Sequence, residues 1–233
     1  MSLAVVFTRA NIGIKAPLVN VEAHLSNGLP AFNIVGLPET AVKESKERVR
    51  SALINSNLDF PDKRITINLA PADLPKSGGR FDLAIAIGIL AASGQIPAEK
   101  LKQLEFLGEL ALSGEVRPVS AALPGVMAAS QLNRGIIIPE ANSQEASLLK
   151  GANCHSCRHL LEVISHLQGK TVLPAVLKSK QAQPEFNVDL RDVVGQYNAR
   201  RALIISAAGG HNLLMVGPPG TGKTMLASRI CSI

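Results

Sequence analysis

The sequence predicts an α+β domain followed by the opening elements, helix, strand, phosphate loop and helix, of an α/β P-loop domain. Three observations carry this prediction. Segments of strand period and helix period intermingle from residue 3 to residue 167, with no internal repeat or low-complexity tract. Periodicity then breaks over residues 170–186, where Pro174, Pro184 and three lysines mark a linker. Finally, Gly217, Pro218, Pro219, Gly220, Thr221, Gly222, Lys223 and Thr224 match G-x-x-x-x-G-K-[ST], between the apolar run Leu213–Val216 and the helix-forming Met225-Leu226-Ala227. The expected domains are therefore 1–169 and 187–233, joined by 170–186.

Composition bounds the function. At 233 residues with 46% hydrophobic and only 3% aromatic content, the chain can build an aliphatic core. Its longest apolar run, Leu83–Ala92, is about half the ~20 residues a membrane-spanning helix needs, so no span and no membrane partner are expected. Met1–Arg9 has no basic region ahead of a long apolar core, so it does not read as a signal peptide, and a cytoplasmic protein is expected. A net charge of +6, from 24 basic and 18 acidic residues, permits nucleic-acid contact without demanding it. Three cysteines do not make a disulfide framework in such a chain.

In order along the chain, residues 3–9 and 18–25 read as strands, the second placing Val19, Val21, Ala23 and Leu25 on one face. Ser26-Asn27-Gly28 turns the chain into a third strand, Ala31–Val35, and predicts an antiparallel hairpin. Pro38 and Glu39 open a helix running to about Asn57, with Val42, Val49 and Leu53 inward and Glu44 and Arg48 spaced for an i,i+4 pair. Its other charges, Lys43, Lys46, Glu47 and Arg50, read as a solvated face or, alternatively, a nucleic-acid contact. Ile65–Leu69 is a strand, residues 70–80 a Gly- and Pro-rich loop, and Phe81–Ala92 an apolar helix. Short helices follow at residues 142–145 and 160–167. Between them, Cys154-His155-Ser156-Cys157, near His159 and His166, reads as a zinc site or as two partly buried thiols, and no second ligand pair stands at finger spacing.

Two segments carry a family resemblance. Pro75-Lys76-Ser77-Gly78-Gly79-Arg80-Phe81-Asp82 is similar to the P-K-D-G-P-S-A-G segment that holds the nucleophile of Lon proteases. Gly108–Val119 resembles the Lon segment T-G-E-I-T-L-R-G-x-V-x-P-I, and Gly135–Glu140 its G-x-x-x-x-I-P-E strand. The resemblance implies a Lon proteolytic-domain fold over residues 1–169. In register, the Lon serine falls on Arg80 and the Lon lysine on Leu123. A guanidinium is always protonated and cannot be the nucleophile, and Leu123 offers no base, so the chain does not read as a protease. Ser77, beside Lys76, and Ser120 are the remaining hydroxyls nearby. Arg80 is open to two readings: it binds an anion at the start of the next helix, or it and Asp82 satisfy that helix end.

The phosphate loop has a direct chemical reading. Gly217, Gly220 and Gly222 let the backbone wrap a polyphosphate, and the following helix directs free N–H groups and its positive end at the same anion. Lys223 is then expected on the β- and γ-phosphates of a nucleotide and the Thr224 hydroxyl on Mg²⁺. Asp192-Val193-Val194-Gly195-Gln196, about 20 residues upstream, resembles the D-V-V-G-Q opening of AAA+ modules. That likeness makes Val193, Val194 and Gly195 candidates for the adenine side, the alternative being a plain core and helix entry.

A Lon-like domain without its dyad, ahead of Phe186-Asn187-Val188-Asp189-Leu190-Arg191 and this AAA+ opening, resembles the ComM/YifB family of magnesium-chelatase-like ATPases over essentially the whole chain. The resemblance implies ATP and Mg²⁺ as cofactors and a hexameric motor that drives DNA branch migration in natural transformation. It also implies that Walker B, sensor and arginine-finger residues lie beyond position 233, so the chain reads as the N-terminal part of a longer protein and its own ATP hydrolysis stays open. Two other functions fit: a chelatase-like protein-remodelling subunit and, for these 233 residues alone, a non-enzymatic binding or assembly module.

Overall fold

The computed structural model describes residues 2–177 and 188–233. They fall into two compact units, Met1–Ser179 and Lys180–Ile233. The expected linker residues 178–186 lie outside the described residues.

In the first unit the strict alternation of Leu18–Ser26 builds β2, whose Val19, Val21, Ala23 and Leu25 are all buried. It pairs antiparallel with β1 (Ser2–Arg9). The chain continues through β3 (Ala31–Val35), α1 (Thr40–Lys43), α2 (Ser45–Asn55), β4 (Arg64–Ala70) and α3 (Asp82–Ala92). Then come β5 (Leu104–Phe106), β6 (Glu109–Leu110), β7 (Val116–Arg117), α4 (Ala122–Gln131), β8 (Gly135–Pro139), α5 (Ser143–Ala146), β9 (Cys154–Cys157) and α6 (Leu160–Leu167). Seven strands form one sheet in the order β3-β4-β2-β1-β5-β8-β9. Only β1 with β2 and β2 with β4 are antiparallel, so the sheet is mostly parallel. The short antiparallel pair β6–β7 stands apart from it.

The predicted β2–β3 hairpin is not formed. The chain reverses after Ser26 as expected, but β4 inserts between the two strands, antiparallel to β2 and parallel to β3. Asn27-Gly28 fixes a change of direction, and the ladder goes to the apolar strand that best fills both edges. The helix expected from Pro38 to Asn57 is divided at Glu44 into α1 and α2.

Packing explains the longest apolar run. Ten of the eleven residues of α3 are buried, the pattern of a helix covered on all sides. It lies on β1 and β2, and a Cβ built on Gly88 would stand 3.1 Å from the Ala23 Cβ, so a glycine permits the close approach. All five residues of β8 are buried, as in parallel strands covered on both faces. Among the described residues, no helix is long and apolar enough to cross a membrane.

Two buried ion pairs tie distant segments. Arg9 grips Glu105 with Nε and Nη2, both at 2.6 Å, joining β1 to β5. Asp82 accepts from Arg48 Nε at 2.6 Å, from the Ser45 hydroxyl and from the Leu110 N–H, joining α2, α3 and β6. Arg48 directs its fork to Asp82 and also forms the predicted i,i+4 pair with Glu44, at a longer 3.8 Å.

Residues 173–176, expected in the linker, instead belong to the first unit. Leu173 is buried in the main core, Ser156 N–H donates to Pro174 O at 3.0 Å, and Val176 N–H donates to Cys154 O at 2.8 Å. The hydrogen bonds that β9 leaves open at the sheet edge recruit this segment.

The second unit holds α7 (Tyr197–Gly209) and α8 (Lys223–Ala227). Its buried apolar cluster is Leu190, Val193, Leu203 and Leu226. A capping box between Asp189 and Asp192 closes the short 3₁₀ turn at Leu190–Asp192. The predicted strand over Leu213–Val216 is not formed. The segment has no ladder partner among the described residues, and Leu214 and Val216 are 85% and 86% exposed.

Candidate functional site

The phosphate-loop residues bridge residues 212–218, which carry no regular structure, and α8. Gly220 and Gly222 both have φ of +82°, a conformation that excludes ordinary side chains, and a Cβ at Gly220 would touch nothing. The glycine is required there by the backbone and not by space. Lys223 Nζ donates to Gly217 O at 2.8 Å, Pro218 O at 2.7 Å and Thr221 Oγ1 at 3.4 Å. Thr221 Oγ1 itself donates to Pro218 O at 2.9 Å, so the loop closes on its own lysine. Pro219 is exposed in the turn, and Thr224 is exposed on the first turn of α8.

A cleft of 540 Å³ adjoins this loop, with Gln196, Ala199 and Ala202 on one side and Val216, Gly217 and Lys223 on the other. The three candidates for the adenine side do not line it. Val193 is part of the small core, Val194 is 94% exposed, and Gly195 makes a left-handed turn at φ +74°. Gln196 does reach the cleft, and its Nε2 donates to Thr221 O at 3.5 Å. The donor set, an ammonium, a hydroxyl and the free N–H groups of a helix start, suits anionic oxygens with a hard dication. A nucleoside triphosphate with Mg²⁺ would bring those oxygens and that ion.

The first unit holds Arg80 and Leu123, the two positions that match the Lon dyad in register. Arg80 is buried at the start of α3, and Nη1 reaches Ser120 O at 3.5 Å. Leu123 lies in α4, its N–H donating to Glu145 Oε1 at 3.0 Å. Burial pushes the Arg80 guanidinium below its ordinary value, and the Glu145 carboxylate partly opposes this. Lys76 is fully buried, its Nζ donating to Gly36 O at 2.8 Å, Leu74 O at 3.0 Å and Pro71 O. All three ammonium protons are thereby used, two within the loop and one on the carbonyl that follows β3, so Lys76 is not free to act as a base toward Ser77. Burial lowers its pKa.

Cys154 and Cys157 are buried on β9, and burial pushes the Cys154 thiol up to about 12 and that of Cys157 higher still. The nearby histidines serve as hydrogen-bond partners: Leu173 N–H donates to His166 Nδ1, and His155 Nδ1 bonds Leu173 O, both at 3.2 Å. Sequence reasoning missed this role, and likewise Gln196 and the Lys76 cradle. A local motif marks neither the histidines nor the Lys76 cradle, whereas Gln196 stood inside the quoted D-V-V-G-Q.

A mostly parallel sheet carrying a Lon-like loop without the Lon dyad, in one chain with a phosphate loop, defines the class of magnesium-chelatase-like AAA+ proteins. The family model "Subunit ChlI of Mg-chelatase" matches residues 21–142, and "Magnesium chelatase, subunit ChlI" matches residues 189–233. The chain belongs to this family, within its ComM/YifB branch. It is 54% identical over 238 residues to the competence protein ComM of Haemophilus influenzae, covering 100% of this chain and 47% of that protein. It is 53% identical over 233 residues to YifB of Salmonella typhimurium, covering 100% of this chain and 46% of the relative. Lon protease 2 of Bacillus subtilis is 32% identical over 107 residues, 46% of this chain and 19% of the protease, in keeping with the fold of the first unit. The chain thus spans about half the length of the ComM and YifB relatives it matches.

Proposed function

We propose that residues 217–224 bind the phosphates of ATP, with Lys223 on the terminal phosphates and Thr224 on Mg²⁺, and that the base lies on the side of Gln196, the residue of the D-V-V-G-Q segment that lines the adjoining cleft. The supporting observation is the gathering of Lys223 Nζ onto the loop carbonyls beside a 540 Å³ cleft at the start of α8. In this reading the chain is the N-terminal part of a ComM-like motor that moves DNA in natural transformation and works as a hexamer. The first unit then acts as a binding or assembly element, since Arg80 and Leu123 leave it without peptidase chemistry.

The test uses a form extended to the length of the relatives. DNA-stimulated ATP hydrolysis is expected, with Lys223→Ala reducing it to background. Hydrolysis unchanged by that substitution would sink the proposal. Two matches to chelatase subunit models favour a second reading, a protein-remodelling ATPase. That reading expects hydrolysis stimulated by a partner protein and indifferent to DNA.

A further inference from the structure

We propose that the cavity between the Ser77–Arg80 loop and the Pro118–Ser120 corner binds a carboxylate group, with the Arg80 guanidinium as its anchor. The cavity measures 230 Å³ and is lined among others by Asn11, Ser77, Gly79, Arg80, Glu109 and Ser120. It lies wholly in the first unit, and nothing in this assignment rests on the phosphate loop.

Arg80 is only 6% exposed, yet its Nε and Nη2 have no hydrogen-bond partner among the described residues. These two nitrogens form one edge of the guanidinium, the fork that takes a planar carboxylate through two parallel hydrogen bonds. The same protein shows that edge filled twice. Arg9 holds Glu105 by Nε and Nη2 at 2.6 Å each, and Arg158 holds Glu140 by Nε at 2.5 Å and Nη2 at 2.6 Å. In Arg80 no carboxylate fills that edge: both nitrogens are buried and unpaired in a residue that forms part of the cavity wall. A guanidinium stays charged even when buried, so unpaired donors there carry a desolvation penalty that a ligand oxygen relieves. Asn11, whose buried Oδ1 is also without a partner among the described residues, forms another part of the cavity wall, and its amide can present either oxygen or nitrogen.

The surrounding charges select the ligand. Glu145 favours the Arg80 charge from a distance, but its carboxylate is engaged by Leu123 N–H at 3.0 Å and Asn142 Nδ2 at 3.3 Å, and no hydrogen bond joins it to the fork among the described residues. Glu109 forms an acidic wall over Gly79, offset by Arg117 at 3.9 Å. A dianion meets repulsion from that wall, whereas a flat monoanion matches both the fork and the small volume. Asp82 already occupies the first turn of α3, so the guanidinium and not the helix end carries the site.

The carboxylate comes either from a small free acid or from the end of a peptide chain, and the test separates the two. The Arg80 Nε–Hε resonance of the ¹⁵N-labelled 233-residue chain is followed during titration with sodium acetate, with sodium chloride and inorganic phosphate at matched ionic strength as controls. A saturable shift with acetate is expected, absent with chloride and at least tenfold weaker with phosphate. An alanine-ended tripeptide binding more tightly than acetate assigns the site to chain ends, and weaker binding assigns it to free acids; the amidated peptide does not bind in either case. Arg80→Gln abolishes acetate-dependent thermal stabilisation. The proposal is overturned by a non-saturable or chloride-equal shift, by phosphate binding as tightly as acetate, or by stabilisation retained in Arg80→Gln. Because the resonance is read in the unsubstituted chain, the test stands even if that variant folds poorly.

Discussion

The two units differ in how their apolar residues are used. In the first, β2 and α3 place nearly every aliphatic side chain in one continuous core, and buried ion pairs at Arg9–Glu105 and Arg48–Asp82 cross-link it. In the second, four buried residues form the core, while Val194, Leu214 and Val216 face solvent. The unit with the most specific sequence motif is therefore the one with the least packing of its own. A phosphate loop is a backbone conformation written in eight consecutive residues, whereas a core is a sum over the whole sheet. Motif strength and structural self-sufficiency are separate properties.

Hydrogen exchange gives the largest contrast. Amides of β1, β2 and α3 are expected to exchange slower than those of α7 by about three powers of ten or more, because local opening tracks packing. Equal protection in the two units would erase the distinction.

Point substitutions sharpen it. Ile87→Ala, in the buried face-to-face contact of α3, is expected to destabilise the first unit by about 2–5 kcal/mol. Val216→Ala, at an exposed position, should stay within about 0.5 kcal/mol. Denaturant midpoints of the two variants check this, and a costly Val216→Ala would show that the segment is covered in solution.

Thiol chemistry follows the same divide. Cys231 is exposed in the second unit, whereas Cys154 and Cys157 are buried. With Cys154 pushed up to about 12, iodoacetamide at pH 8 should modify Cys231 alone in the native chain, as read by mass spectrometry.

The smallest effect concerns acid. Burial, followed by the nearby His155 and Lys100, lowers the pKa of His166, whose Nδ1 must be unprotonated to accept the Leu173 N–H. Its folded value lies below its unfolded one, so the contribution is present above about pH 6.5 and is lost as pH falls through the folded value. A falling protection factor of the Leu173 amide, its exchange taken relative to the intrinsic rate at each pH, is the expected readout as pH drops below about 6.5, and pH-independent protection would refute the assignment.

What was legible in the sequence follows from how local each signal is. Alternation in Leu18–Leu25 announced β2, the all-apolar run announced α3, and the eight-residue motif announced the loop. Pairing was not legible. Asn27-Gly28 signals reversal, but which strand fills the space depends on Ile65–Leu69, some forty residues later. The Arg9–Glu105 pair, 96 residues apart, leaves no local trace. At the Lon-like positions, alignment of motifs located Arg80 and Leu123, but only the packed structure reveals that the Arg80 fork lacks a partner.

Lys76 behaves as a potassium ion covalently tethered to the chain, its ammonium wrapped by two carbonyls of its own loop and by that of Gly36, after β3. The ammonium thus pins the loop to the end of β3 through carbonyl dipoles. It follows that Lys76 should be silent to amine-reactive footprinting while the fold is intact. Its first labelling would report, like a broken seal, the moment the 70–80 loop comes undone.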